Sequence, residues 1–419
     1  MSSAGDVRTE RLARARWGFF AVAFGMPTLK SAVGIDGGAM FQIIAVESLG
    51  LDPRAIGVAF SLGVLSVPLQ LAAARLPLWR ARVHLQIFFA LLAVQCVVLA
   101  GLVAADVTGG GVAMIALGVT VVAEISLSVL YAPSWQPLLR FALGSKDRQS
   151  VNSRVRAVGN ATVVVAVLLV GTVNDAMRGV VLLLVGAAAV ALIATARGLP
   201  VPEPPVAADV GQAAPPAKPR PLPPGMRPIY LTQALVGLAA TWPLFLVYLR
   251  EVLWPSANLG ALGAVQLGGA LFAAATWRTT TADPATRALW ASGVVVAATV
   301  AMVAIRAPVT GPVESVVCVA AFAAASAAVT TVLLALTERA HQTIDNDTSV
   351  RALTVLDVVE STSLQVGLLA GGFLVAASVD RTDWAVDPYL LYLTAGAITV
   401  VAALATLRRS AAADVTRSL

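Results

Sequence analysis

Few side chains in this sequence can exchange a proton, hold an ion or bind a charged group, and the notable ones sit inside apolar stretches. Lys30, Asp36 and Glu124 interrupt apolar runs in the first third of the chain, and Asp357 and Glu360 do so near its end. An ionisable side chain at the centre of a bilayer costs about 2.5–3.5 kcal/mol on insertion scales, so each is expected to serve a partner, a proton or a ligand. That is the chemistry of ion coupling and ligand binding. Bond-breaking chemistry finds no comparable set. The two histidines, His84 and His341, stand at the edges of loops without a ligand-spaced partner, and no glycine-rich phosphate loop ending in Lys-Ser/Thr occurs. The reading is a non-enzyme with no cofactor and no metal, and with no ATP-driven activity of its own. Cys96 and Cys318 lie in apolar stretches, where a free thiol behaves as a small hydrophobe.

The elements that must carry these residues follow from composition. The chain has 419 residues, 58% of them hydrophobic and 12% charged. An ordinary globular protein has about 25% charged residues, and the mean hydropathy here is +0.83. The apolar residues are enough for about twelve helices of roughly 20 residues, the length that crosses a bilayer. The expected fold class is all-α: a polytopic membrane protein of twelve transmembrane helices in two pseudo-symmetric six-helix bundles. A net charge of +6 invites comparison with nucleic-acid binders. However, no window combines clustered Lys and Arg with stacking aromatics, so no nucleic-acid partner is expected.

Apolar length and loop chemistry place crossings near 17–46, 54–76, 84–105, 111–139, 151–174 and 178–197, then near 229–253, 257–277, 285–305, 312–337, 350–378 and 388–407. The organisation is an N-terminal tail (1–16), a six-helix bundle (17–198), a linker (199–228), a second six-helix bundle (229–408) and a C-terminal tail (409–419). The Arg-rich start could pass for a secretory signal, but Lys30 and Asp36 interrupt the following run and no clean Ala-x-Ala site ends it, so the first crossing is expected to be retained. The linker, "LPVPEPPVAADVGQAAPPAKPRPLPPGMRP", is too rich in proline and charge to be helical or buried in lipid. Of the 29 Lys and Arg residues, the predicted outer loops hold only Arg54, Arg178, Arg250, Arg306 and Arg381, and Lys30 lies inside the first crossing. All the others fall on the opposite side with both tails and the linker. Cytoplasmic loops carry the basic excess, so both termini and the linker are expected in the cytoplasm of a cell-membrane protein. The high alanine and valine content points to a GC-rich bacterial genome.

Two sets of six crossings suggest an internal repeat. "DRQSVNSRVRAVGNATVVVAVLLVGTVND" from Asp147 and "NDTSVRALTVLDVVESTSLQVGLLAGGFL" from Asn346 each enter the fifth crossing of their half, with Ser150-Val151 and Ser349-Val350 offset by 199 residues. With this plan on the page, the chain resembles the major facilitator superfamily of transporters along nearly its whole length. The passages "YAPSWQPLLR" from Tyr131 and "SKDRQSVNSR" from Ser145 resemble bacterial drug and siderophore exporters of that superfamily. The superfamily's motif between crossings 2 and 3 is represented by Arg75, Arg80 and Arg82 without its aspartate and glycines, and the exporters' Gly-Pro motif in crossing 5 is absent.

The resemblance implies a secondary active transporter that works as a monomer on a small-molecule substrate, with a proton or other coupling ion and the lipid bilayer as its remaining partners. It also implies that crossings 1 and 4 line a central cavity. Lys30 and Glu124 lie near the midpoints of those crossings, so the two are expected to pair. The pair is either a fixed structural ion pair or one whose partner is displaced by substrate or proton. Asp36 lies some 9 Å further outward on another helical face; it is either a proton site or a cap on a helix break at Gly37-Gly38. Thr354, Asp357, Ser361 and Gln365 recur at helical spacing, with Glu360 about 60° away, and this polar stripe must face protein or water. Gln233, Trp242, Tyr248 and Gln365 are candidate cavity contacts. Proton-coupled efflux is the preferred activity. The alternatives are an importer or facilitator of an anionic molecule, which Lys30 would suit, and an assembly or sensing protein that moves nothing.

Overall fold

The computed structural model describes residues 17–22, 43–73, 77–105, 111, 130, 134–135, 137–143, 151, 154, 161, 164–165, 167–202, 225–239, 242–277, 283–304, 312–344, 349–380 and 387–418. Those residues are helical apart from turns and short connections. The helices are α1 (Pro53–Ser61), α2 (Val67–Ala73), α3 (Ala81–Ala104), α4 (Asp175–Arg197), α5 (Met226–Ala239), α6 (Trp242–Tyr248), α7 (Leu259–Thr276), α8 (Pro284–Ala304), α9 (Pro312–Thr343), α10 (Ser349–Asp380) and α11 (Pro388–Ser418). A 3₁₀ segment, Leu62–Ser66, joins α1 to α2, and π-helical turns occupy Ile44–Ser48 and Leu249–Leu253. Eight helical runs among the described residues are long and apolar enough to cross a membrane. They fall at the expected third, sixth and seventh to twelfth crossings, and the shorter apolar helix Pro53–Leu69 falls at the second.

The helix starts follow local rules. Proline opens α1, α8, α9 and α11, where a missing N–H costs nothing. Asn174, Asn258 and Asp283 accept backbone N–H bonds from the first turns of α4, α7 and α8. Several boundaries differ from expectation; α9, for one, runs to Thr343, beyond the expected end at 337. α5 begins at Met226 instead of 229, because Pro228 is tolerated in a first turn. α11 continues to Ser418 through an alanine-rich stretch, beyond the expected end at 407.

Packing is helix on helix. α3 pairs with α4, α7 and α8 both pair with α9, and α10 lies between α1 and α5. Phe245, Tyr248, Phe322 and Tyr389 form a buried aromatic cluster that ties α6, α9 and α11 together. Large apolar side chains such as Val94, Val97, Leu184, Val190 and Trp290 point outward, as they do in a protein whose outer solvent is lipid.

The two π-helical turns share one arrangement. Beyond Ile44–Ser48, Ser48 Oγ donates to Asp175 Oδ1 at 2.6 Å at the start of α4. Beside Leu249–Leu253, the Tyr248 hydroxyl donates to Asp387 Oδ2 at 2.9 Å, just before α11. Asp387 also accepts from Ser378 Oγ and from the backbone N–H groups of Tyr389 and Leu390. In the first arrangement Arg178 is 7% exposed, and its guanidinium donates to Val170 O, Ser48 Oγ, Asp175 Oδ1 and Glu47 Oε2. Each of these donations meets an acceptor across three chain segments. Arg178 is buried but the Glu47 and Asp175 side chains are 28% and 50% exposed, so removing the cation costs less than the about 3–5 kcal/mol of a fully buried pair and more than the about 0–1 kcal/mol of a surface one. The exposed pair Arg54–Asp380, at 52% and 58% side-chain exposure, is worth about 0–1 kcal/mol. Thermal unfolding of the detergent-solubilised protein should therefore show a large loss for Arg178→Met and almost none for Arg54→Met.

Candidate functional site

The described part of the candidate site is built on α10. Its polar residues Thr354, Asp357, Glu360, Ser361, Ser363 and Gln365 interrupt an otherwise apolar helix that is wedged between two neighbours. Both neighbours receive it with a glycine. A methyl group on Gly237 of α5 would overlap Ser363 Oγ, and one on Gly63 would overlap the amide of Gln365. Gly63 lies in the 3₁₀ segment, so the expected second crossing changes its helical pitch where the Gln365 amide seats. Gln365 Nε2 donates to Ser361 Oγ at 3.2 Å, and Oε1 is buried without a protein partner. Asp357 and Glu360 are half-buried, nearer the Ser349 end of the helix.

Further along α10, a Cβ on Gly57 of α1 would come 3.0 Å from the Gly372 Cα. A second crossing of this kind joins the chain before the linker to the chain after it: a methyl on Gly171 would overlap the Cα of Gly260 at the start of α7. Asn258 Nδ2 donates to Gly171 O at 2.9 Å and closes this crossing. Gly57 and Gly260 are 203 residues apart and Gly171 and Gly372 are 201 apart, close to the offset of 199 between the Ser-Val pairs. The two crossings are therefore repeat-equivalent. Both lie at the end of the molecule that carries Arg54 and Arg178. At the opposite end, Arg140 donates through Nη1 to His341 O at 3.2 Å and through Nη2 to Ile344 O. These carbonyls belong to the last turn of α9, where helix carbonyls lack partners and the dipole is negative, so a guanidinium is well placed.

Of the residues singled out from sequence, Lys30, Asp36 and Glu124 lie outside the described residues, and so does the expected Lys30–Glu124 pair. Trp242 opens α6. Gln233 is buried on α5, and Gln365 is buried at the α1–α10 seam. Tyr248 is held by Asp387 and the aromatic cluster. The glycine crossings and the Arg140 contact were not among the sequence candidates. The signal that could have found the glycines is their offset near 200 residues. Among the described residues, no group of three or more His, Cys, Asp or Glu side chains could hold a metal ion.

No protein-family profile matches the chain, and no curated protein matches it in sequence. Solved structures do match in three dimensions. A bacterial homologue of the iron transporter ferroportin, in its outward-facing state, superposes with a TM-score of 0.61 at 17% identity, over 95% of this chain and 99% of that one. The human organic anion transporter MFSD10 gives 0.61 at 12% identity, over 94% and 99%. The E. coli fucose:proton symporter FucP gives 0.57 at 13% identity, over 94% and 98%. The chain has the fold of the major facilitator superfamily transporters.

The glycine contacts differ in what must yield to a side chain. At Gly63 the obstacle is the end of a flexible side chain, whereas at Gly171 it is backbone. Gly171→Ala should cost about 1–3 kcal/mol as an overpacked contact. Gly63→Ala should cost clearly less, and Gly101→Ala, with nothing within 4 Å, should cost nothing. Melting curves of the three purified variants check the order.

Proposed function

We propose that this chain is a secondary active transporter of a bacterial cell membrane, exporting a small organic molecule by alternating access against proton entry. The observation that carries the reading is the pair of repeat-equivalent glycine crossings, Gly57 with Gly372 and Gly171 with Gly260. Two equivalent backbone contacts at one end of the molecule, with an arginine contact at the other, suit a body whose two parts rock about a midplane site. In this reading residues 17–198 and 229–408 are the two six-helix bundles, the linker and both tails are cytoplasmic, and the protein acts as a monomer. The Arg54 end faces outward, and the glycine crossings are its closed gate.

Proton coupling is assigned to the membrane acids. Glu124 is paired with Lys30 until substrate or proton displaces one of them, Asp36 takes up protons from outside, and Asp357 and Glu360 serve the second bundle. Fold likeness supports transport in general. The neighbours are named for iron, organic anions and fucose, so the fold leaves the cargo open, and proton coupling is printed in the name of one of them.

Everted membrane vesicles holding an inside-acid pH gradient test the reading. They are challenged with cationic, neutral and anionic antibiotics and metabolites. At least one compound should discharge the gradient in wild type, with the response falling to below about a tenth in Glu124→Gln or Asp36→Asn. A bulky residue in the outer crossing, Gly171→Val, should stop turnover while leaving the outer end open to a membrane-impermeant thiol reagent at a cysteine placed beside Gly260. If no compound discharges the gradient, proton-coupled export is wrong. If Gly171→Val turns over normally, the crossings are not a gate.

A further inference from the structure

A hydroxyl or amide buried among apolar helices needs a partner, because water is not there to supply one. On α8 and α11 every described serine or threonine side chain within the helix finds one: Ser292, Thr299, Thr394, Thr399 and Thr406 each donate to a carbonyl of their own helix. On α7, α9 and α10 such bonds are made as well, by Thr276, Thr331, Thr337, Thr343, Ser363 and Ser378, but these helices also carry four groups that lack them. Gln266 Oε1, Ser326 Oγ, Thr362 Oγ1 and Gln365 Oε1 are all buried without a protein partner, and Ser326 and Gln365 as whole residues are more than nine-tenths buried.

Two features separate these four groups from packing accidents. The first is depth. The centres of α7, α9 and α10 fall near residues 267, 327 and 364, and all four groups lie within about three residues of them, some 4.5 Å along the axis. The second is the helices that carry them. α7 and α10 make the glycine crossings to the first part of the chain, and α9 receives Arg140. α8 and α11 pack chiefly on each other and on α5, α9 and α10. Among the described residues, these four neutral groups thus lie at mid-depth on helices that meet the other part of the chain, whereas Arg287 Nε on α8 is unmet near a helix end.

We infer that these four groups recognise a ligand carrying several hydrogen-bond donors and no net charge, a neutral hydroxylated or amide-bearing molecule. This rests on the transport reading above and adds the chemistry of the cargo. The two amide oxygens can only accept, so the ligand must donate to them; the two hydroxyls can do either. None of the four offers a charge to a lipophilic ion. Gln365 adds a coupling to gating. Its amide lies on Gly63, so a ligand reaches Oε1 only when α1 and α10 separate, and the closed seam carries an unmet acceptor that an entering donor relieves.

The full-length protein in nanodiscs tests this with Ser326→Ala, Thr362→Val and Gln365→Met. Without ligand, Ser326→Ala and Thr362→Val should melt at the wild-type temperature or above it, since each removes an unmet polar atom; Gln365→Met, which also removes the Nε2 bond to Ser361, is read by affinity alone. A panel of neutral probes (glucose, sorbitol, glycerol and uridine) should contain at least one that raises the wild-type melting temperature. Each substitution should weaken its apparent affinity roughly 2- to 12-fold, the span of one net hydrogen bond. The inference is overturned if unliganded Ser326→Ala and Thr362→Val melt several degrees lower, which would mean that the groups hold the fold through buried water. It is also overturned if no neutral probe binds, or if donor-free tetraphenylphosphonium alone shifts the wild type. Discharge of the vesicle gradient by tetraphenylphosphonium would keep the transport reading and remove only this one.

Discussion

Lipid offers no hydrogen bonds, and most of this architecture answers to that one constraint. Helices satisfy their own backbone, so the described long apolar stretches are helical. What remains are side chains and helix ends, and the structure treats them in three ways. Serine and threonine on the outer helices turn back onto their own carbonyls. Arg178, the most fully engaged cation among the described residues, is enclosed by acceptors from three segments. Four neutral groups at mid-depth are left unmet. The first two treatments are structural solutions, and the third is the exception that points to function.

The same constraint explains why glycine does the joining. In lipid, helix association gains little from the hydrophobic effect, so close backbone approach and dispersion must hold packed helices together. Gly57 against Gly372 and Gly171 against Gly260 give that approach without interlocking side chains. A contact built from smooth surfaces can separate and reform at low cost, whereas interdigitated leucines would have to unpack. The Arg140 contact at the other end is of a different kind, a few charge-assisted hydrogen bonds to a helix terminus.

Much of the fold was legible in the sequence because lipid imposes simple statistics. Apolar length placed the helical runs, and the polar stripe from Thr354 to Gln365 appeared at its helical spacing. The joints were not legible, for a physical reason. A glycine's role at a crossing is defined by the backbone opposite it, 89 residues away for Gly171 and Gly260 and 315 for Gly57 and Gly372, and a lone glycine shows no helical periodicity; only the repeat offset marks it. Gln365 was noticed as polar. That its amide would seat on Gly63, with one end unmet, depends on a 3₁₀ segment that no composition rule announces. Tyr248, read from sequence as a candidate cavity contact, places its hydroxyl on Asp387, whose other oxygen caps α11, a partner 139 residues away that the spacing of the crossing does not announce.

That last arrangement bears on how the molecule divides its tasks. Ser48 with Asp175, and Tyr248 with Asp387, fasten the π-helical end of one helix to the start of another within each part of the chain. π-turns persist where something holds them, because their hydrogen bonds are poorer than those of an α-helix. Here the holding groups are acids that also cap α11 and stabilise the Arg178 cluster. Charge is therefore used to make each part rigid, and nearly bare backbone is used where the parts meet. In the proposed transport reading, such an assembly would move along the glycine seams, and the unmet groups on α7, α9 and α10 lie on helices that border them.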